Sequence, residues 1–144
     1  MIVKAACNKK NIVNGIIAGL IAGIVFGFML IQMGVLGNIG LMVGSSNPIA
    51  GFIVHLVFSA ILGVIFALVF FKKIGDHFYS AILWGLLYGI IWWFLGALTL
   101  APIAMGVPVV WNGQVMSNEF PMLLGYLVFG FVLGLCFFWL KNRK

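Results

Sequence analysis

The sequence predicts an all-α integral membrane protein with four spanning helices, and its composition and charge pattern support that prediction. Of its 144 residues, 65% are hydrophobic and only 7% are charged, whereas a soluble domain carries about a quarter charged residues. Neither positions 11–71 nor positions 77–118 contain an Asp, Glu, Lys or Arg. No soluble surface can be built from such a chain. We therefore expect one membrane domain over residues 1–144.

Four segments are long and apolar enough to cross a bilayer. A spanning helix needs about 20 mostly apolar residues at a rise of roughly 1.5 Å per residue. The segments that meet this requirement are 12–36, 48–71, 79–101 and 120–140. They are continuously apolar and do not alternate as the strands of a membrane barrel do. An open sheet edge would leave backbone groups unsatisfied in lipid, so helices are predicted for all four.

Two of these segments begin with residues typical of a helix start. Asn47 directly precedes Pro48, and Glu119 lies two positions before Pro121. A polar side chain at such a position accepts a hydrogen bond from a free backbone N–H, and proline favours the first helical turn. The carboxylate of Glu119 would also lie near the positive end of the helix dipole.

The connection between the first and second segments is unusually apolar. Residues 37–47 include Ile39, Leu41, Met42 and Val43. Exposed loops are seldom this hydrophobic, so we expect the connection to lie in the membrane interface or to fold back into the protein.

The positive charges predict the orientation of the chain. All eight basic residues fall on one side of a four-span path: Lys4, Lys9, Lys10, Lys72, Lys73, Lys141, Arg143 and Lys144. The opposite connections, 37–47 and 102–119, contain none. By the positive-inside rule, both termini are expected in the cytoplasm. This topology accounts for the net charge of +6, so the lipid bilayer is the expected partner and nucleic acid is not.

Glycines at four-residue spacing predict close helix packing. They are Gly15, Gly19, Gly23 and Gly27 in the first segment, Gly85 and Gly89 in the third, and Gly130 and Gly134 in the fourth. Such a stripe lets a neighbouring backbone approach closely. Packing within the bundle is the main expectation, and a pore-lining or gating surface is the alternative.

The spacing also predicts a tandem pair of helical hairpins. Gly15 matches Gly85 at an offset of 70 (85 − 15), and His55 matches Tyr126 at an offset of 71 (126 − 55). Two hairpins of the same orientation would be related by an axis along the membrane normal, as in parallel-repeat transporters.

A few polar residues within or near the spans are candidates for function. His55 is the ionisable group deep in an apolar segment, and Ser59 follows it by one helical turn. Ionisable groups in membranes usually face the bundle interior or a cavity. We predict an outward vestibule lined by His55, Ser59, Glu119 and Gln32. The alternative is a neutral His55 that donates one hydrogen bond to a neighbouring helix.

The sequence offers no motif for an enzyme, a metal or a cofactor. Asp76 and Glu119 are its only carboxylates and lie on opposite sides of the predicted membrane. Cys7 and Cys136 lack metal-ligand spacing. No nucleophile, base and acid can be assembled from the remaining residues. We therefore expect no enzyme activity, no metal site and no resident cofactor.

Several short motifs resemble a known family. They are His55-x-x-Phe58-Ser59, Trp84-x-x-x-x-Gly89, Gly125-Tyr126-Leu127-Val128 and Asn142-Arg143. Together they resemble the YagU family of uncharacterised bacterial inner-membrane proteins, over roughly residues 51–143. That family has a longer first loop and often a histidine where Tyr126 stands here. The resemblance implies a bacterial inner-membrane location and implies no particular activity.

Our leading functional hypothesis is a small homo-oligomer that moves a small solute, proton or ion across the inner membrane. His55, Ser59 and Glu119 would line its path, and the glycine stripes would supply surfaces for self-association. The second hypothesis is a non-catalytic accessory subunit that packs against a larger membrane complex.

The third hypothesis is a protein that binds a lipid or a hydrophobic cofactor on an aromatic face. Trp84, Tyr88 and Trp92 recur every four residues in the third segment. Packing in the core or against lipid is the default explanation for this pattern. Stacking against a cofactor or a cation is the alternative.

Overall fold

The structure of the protein is a computed structural model that describes residues 8–75 and 77–143. Its helices are α1 (Lys9–Met33), α2 (Leu36–Gly40) with a following 3₁₀ turn (Leu41–Val43), α3 (Pro48–Phe70), α4 (Phe78–Trp92), a π-helix (Trp93–Leu100), α5 (Ala101–Ala104), α6 (Gly113–Asn118) and α7 (Phe120–Asn142). The described chain contains no strand. Lys4, Cys7, Asp76 and Lys144 lie outside the described residues.

Four helices are long and apolar enough to cross a membrane, which confirms the predicted fold class. They are α1, α3, the continuous helix Phe78–Ala104 and α7. The helix Phe78–Ala104 comprises α4, the π-helix and α5, and is called the third span below. The orientation of the termini stays a prediction.

The helix starts follow local chemistry. The side chain of Asn47 accepts a hydrogen bond from the backbone N–H of Ile49 at 2.9 Å, and Pro48 occupies the first turn of α3. Glu119 occupies the position before α7, but its side chain makes no capping hydrogen bond. The predicted start of α7 is therefore right, although its first free N–H groups are not capped by that carboxylate.

The first span ends earlier than predicted because Gly34 adopts a left-handed conformation with φ 68°. Left-handed glycines commonly terminate helices. The chain then folds back as α2, whose residues Leu36 and Gly40 are buried. The carbonyl oxygen of Leu36 lies so close to Gly51 that no side chain fits at position 51. The apolar connection therefore packs against the start of α3.

The four spans are arranged in a ring, and three of the four pairs of neighbouring spans pack closely. α1 packs against α3 and against α7, and the third span packs against α7. α3 and the third span meet chiefly through long side chains: the hydroxyl of Tyr88 donates to the carbonyl oxygen of Leu62 at 2.7 Å, and the rings of Tyr88 and Phe66 are 5.2 Å apart.

Each of the predicted packing glycines faces another span. A Cβ added at Gly15 would lie 2.6 Å from the carbonyl oxygen of Gly63, and one added at Gly27 would lie 2.5 Å from the ring of Phe52. The remaining contacts are Gly19 and Gly23 with Ser59, Gly85 with Gly130, Gly89 with Tyr126, and Gly134 with Ala81. These faces therefore serve packing inside the chain, and self-association stays a prediction.

The two hairpins repeat the same contacts, in a register one turn away from the predicted one. Gly19 meets the carbonyl oxygen of Ser59, and Gly85 meets that of Gly130. The offsets are 66 in the first helix of each pair (85 − 19) and 71 in the second (130 − 59). The predicted offset of 70 in the first helix was wrong, because glycines spaced by four residues align equally well after a one-turn slip.

Candidate functional site

A cleft lies between α3 and the third span, where the contacts of the two hairpins are no longer equivalent. On α1, Ala18 and Ala22 are fully buried, and small side chains at such positions let a neighbouring helix approach closely. The offset of 66 places Trp84 and Tyr88 at the equivalent positions of the third span. Bulky rings cannot allow the same approach, so Trp84 and Tyr88 hold the third span away from α3. The ring of Phe70 fills part of the gap, 5.3 Å from that of Trp84.

Two adjacent cavities occupy the unfilled part of this cleft. The upper cavity, of about 210 Å³, includes Glu119 in its lining. The lower cavity, of about 280 Å³, includes Ser59 and Trp92. Both are bordered by Phe26, Ile39, Met42, His55, Ala101 and Tyr126. The lower cavity follows α3 from His55 to Ile65, about 15 Å at the usual helical rise.

The π-helix forms one wall of the cavities. The hydroxyl of Thr99 donates to the carbonyl oxygen of Phe94, five residues earlier, at 2.9 Å. Gly96 borders the lower cavity, and a Cβ added there would lie 2.5 Å from the hydroxyl of Tyr126. π-Helical turns are rare and frequently occur at functional sites. Eight consecutive apolar or small residues (Trp93–Leu100) carry no periodic signal that separates a π-helix from an α-helix, so sequence reasoning missed it.

His55 is bonded to α1 and borders both cavities. Its Nε2 lies 2.9 Å from the carbonyl oxygen of Gly23. Since a carbonyl can only accept, Nε2 carries the hydrogen in this bond. The ring meets that of Phe26 edge to face, with centroids 5.4 Å apart. This contact matches the alternative stated above, in which His55 donates one hydrogen bond to a neighbouring helix.

Ser59 is buried, and its hydroxyl is used within its own helix. The hydroxyl donates to the carbonyl oxygen of His55 at 2.8 Å, a common arrangement for serine inside a helix. The same side chain also packs against Gly23. Ser59 therefore borders the lower cavity but serves helix packing through its polar atom.

Glu119 lies half-buried at the upper cavity. The indole N–H of Trp93 donates to its backbone carbonyl oxygen at 3.0 Å, which fixes this part of the chain against the third span. The carboxylate is close enough to Tyr126 to interact with it electrostatically. Gln32, by contrast, is exposed and borders neither cavity. The structure thus gathers His55, Ser59 and Glu119 around the cavities and leaves Gln32 outside.

Phe26 and Tyr126 are two cavity residues that the sequence analysis did not propose for the site. The ring of Phe26 packs between those of His55 and Tyr126, and its centroid lies 5.1 Å from that of Tyr126. Phe26 also contacts Gly125 of α7. A signal for Tyr126 was present, because it is the repeat equivalent of His55.

The bundle is filled on the side of the cavities away from Glu119. Its largest fully buried side chains include Phe66, Phe129, Phe137, Leu133 and Ile74. Next to them, Lys141 closes the bundle by donating to the carbonyl oxygens of Phe71 at 3.2 Å and Gly75 at 3.0 Å. Within the described chain, these side chains therefore fill the end of the bundle away from Glu119.

No protein-family model, curated protein or solved structure matches this chain. Its fold and cavities define it as a multi-pass membrane protein with four spanning helices and an apolar cavity between the second and third. The resemblance to the YagU family stays a prediction.

Proposed function

We propose that this chain is a membrane-embedded binding protein for a hydrophobic molecule, which reaches the cleft between α3 and the third span from the bilayer. The observation that supports this function is the lateral border of the lower cavity. Phe58, Ile61 and Leu100 line that cavity, yet 47%, 49% and 49% of their surfaces are exposed. Side chains that face both a cavity and the surroundings form a side opening.

The cavities have room for a ring with substituents or for a medium-length chain. An apolar protein cavity of about 150 Å³ binds benzene, and the lower cavity alone is about 280 Å³. Its walls are mostly aromatic and aliphatic, and their polar side chains include His55, Ser59 and Tyr126. This combination of an apolar pocket with a few polar groups is typical of small-molecule sites.

A cavity-filling variant tests this function. Ala101 borders both cavities, whereas Ala104, in the same short helix α5, is exposed and borders neither. Native mass spectrometry of the detergent-purified protein would measure the occupancy of added dodecanol. We expect binding by the wild-type chain and by Ala104→Phe, and loss of binding in Ala101→Phe. Equal occupancy in Ala101→Phe and Ala104→Phe would refute the site.

Transport of a small solute, proton or ion is the second candidate function. It is favoured by the position of His55 and Glu119, two titratable residues that border the upper cavity. It requires the filled core around Phe66 and Phe129 to rearrange, or a second copy to complete the path. Proteoliposome flux compared between wild type and His55→Ala, over pH 5–8 where histidine ordinarily titrates, tests it. Flux unchanged at every pH removes His55 from the mechanism.

We also propose an inner-membrane location with both termini in the cytoplasm. Basic residues from three parts of the chain lie at one end of the bundle: Lys10 donates to the carbonyl oxygen of Arg143 at 3.3 Å, and Lys141 donates to that of Phe71, which directly precedes Lys72 and Lys73, at 3.2 Å. The positive-inside rule then places this end in the cytoplasm. Reporter fusions to both termini test the orientation, and a reporter active only outside the cytoplasm would overturn it.

A further inference from the structure

We propose that the ligand of these cavities is a single-chain amphiphile with a cationic head group, its chain in the lower cavity and its head beside Glu119. This inference rests on the proposed function and adds the chemical class of the ligand. It follows from the source of the binding free energy, from the charge at the upper cavity and from the rings around it.

A wholly apolar molecule gains little by leaving the bilayer for this cleft. Lipid tails are as apolar as the side chains of the lower cavity, so the hydrophobic effect does not separate the two environments. Preference for the protein must come from packing and from polar contacts. The polar side chains of the upper cavity include His55, Tyr126, Asn38 and Glu119, so the ligand needs a polar group that reaches them.

The head group of such a ligand would lie next to a negatively charged side chain, that of Glu119. Among the described residues that line the upper cavity, Glu119 is the acidic one; the other acidic residue of the sequence, Asp76, lies outside the described residues. The basic residues Lys141 and Arg143 lie at the opposite end of α7, about 35 Å away along the helix. An anionic head group would face this carboxylate without a nearby compensating cation, whereas a cationic one would pair with it.

The surrounding rings also suit a cation. Phe26 and Tyr126 border the upper cavity together with Glu119. Aromatic faces attract ammonium groups, and the attraction is stronger when the site excludes water. The indole N–H of Trp93 holds the backbone of Glu119 against the third span, so Glu119 begins from a fixed point of the chain next to these rings. A zwitterionic phospholipid fits less well, since its phosphate would also approach Glu119.

Three probes with the same chain length test the head group: dodecyltrimethylammonium, dodecanol and dodecanoate. Native mass spectrometry at pH 8, above the ordinary histidine range, would compare each probe between wild type and Glu119→Gln at one detergent concentration. Partitioning into micelles then cancels in the ratio. We expect Glu119→Gln to weaken binding of the cation by about tenfold or more, because the quaternary ammonium loses its ion-pair partner in a partly water-excluded site, and to change binding of dodecanol less than about twofold. Glu119→Asp, which keeps the charge, should retain most of the preference.

The possible outcomes separate this inference from the proposed function. Equal binding of all three probes by wild type, or an equal effect of Glu119→Gln on the cation and on dodecanol, would overturn the cationic head group and leave the cavity as a binding site. Tighter binding of lysophosphatidylethanolamine than of the cation would overturn it in favour of a lipid head group. Failure of every probe to bind, with the wild-type thermal transition intact, would overturn the proposed function itself.

Discussion

Gly63 on α3 offers a direct test of the close packing that holds the first hairpin together. A Cβ added there would meet the carbonyl oxygen of Gly15 and would lie 2.8 Å from the Cα of Gly19. Both neighbours are backbone atoms of α1, which cannot rotate away as a side chain can. The substitution Gly63→Ala therefore has to push α1 and α3 apart.

The expected change in stability follows from two opposing effects. Overpacking of a tight interface costs about 1–3 kcal/mol, and alanine is a better helix former than glycine by up to about 1 kcal/mol. Because the added Cβ meets backbone atoms that cannot rotate away, we take the upper part of that range, about 2–3 kcal/mol, and subtract about 1 kcal/mol for helix propensity. We therefore expect Gly63→Ala to lower the free energy of unfolding by about 1–2 kcal/mol. Gly63→Leu, with a larger side chain, should lower it further.

Reversible unfolding of the purified protein in mixed micelles would measure this change. Gly113→Ala is the matched control, because an added Cβ at Gly113 meets nothing within 4 Å. The control should leave stability unchanged within about 0.5 kcal/mol. If Gly63→Ala were as stable as the control, or more stable than wild type, then α1 and α3 would not pack as closely as the structure places them.

Two further substitutions test other contacts. Tyr88→Phe removes the hydrogen bond to the carbonyl oxygen of Leu62 and keeps the ring, so unfolding should become easier by about 0.5–1.5 kcal/mol; an unchanged unfolding midpoint would show that this bond adds nothing. Lys141→Gln removes the ammonium group that donates to the carbonyl oxygens of Phe71 and Gly75, so amide hydrogen exchange should become faster in residues 71–75. The control Lys72→Gln, at an exposed position, should leave the exchange rates unchanged. Equal exchange rates in the two variants would contradict the contact.

Much of the fold follows from the sequence because its causes are local. The apolar length of each span decides that it crosses the membrane, and Asn47 with Pro48 decides where α3 begins. The glycines identify the packing faces. Their spacing could not fix the register, since a slip of one turn from Gly15 to Gly19 brings another glycine into the same place.

The candidate site was harder to predict because it depends on rotation about the helix axes and on several elements at once. Gln32 has the right depth, but at about 100° per residue it lies opposite Gly23, the residue that faces α3. A helical projection would have excluded it. The cavities, by contrast, combine side chains of all four spans with Ile39 and Met42 of the folded-back connection. No single stretch of sequence contains that information.

Surfaces that are equivalent in the two hairpins have different roles: one packs closely and the other borders the cavities. The contacts of α1 with α3 and α7, and of the third span with α7, are backbone-close and tolerate little change. The surface of the third span that carries Tyr88 and Trp92 contacts α3 chiefly through long side chains, and it borders the cleft. Mutations there can alter the size and shape of the cavity while the three close contacts preserve the fold. The repeated hairpin thus provides three interfaces that maintain the architecture and a fourth at which the shape of a binding site can vary.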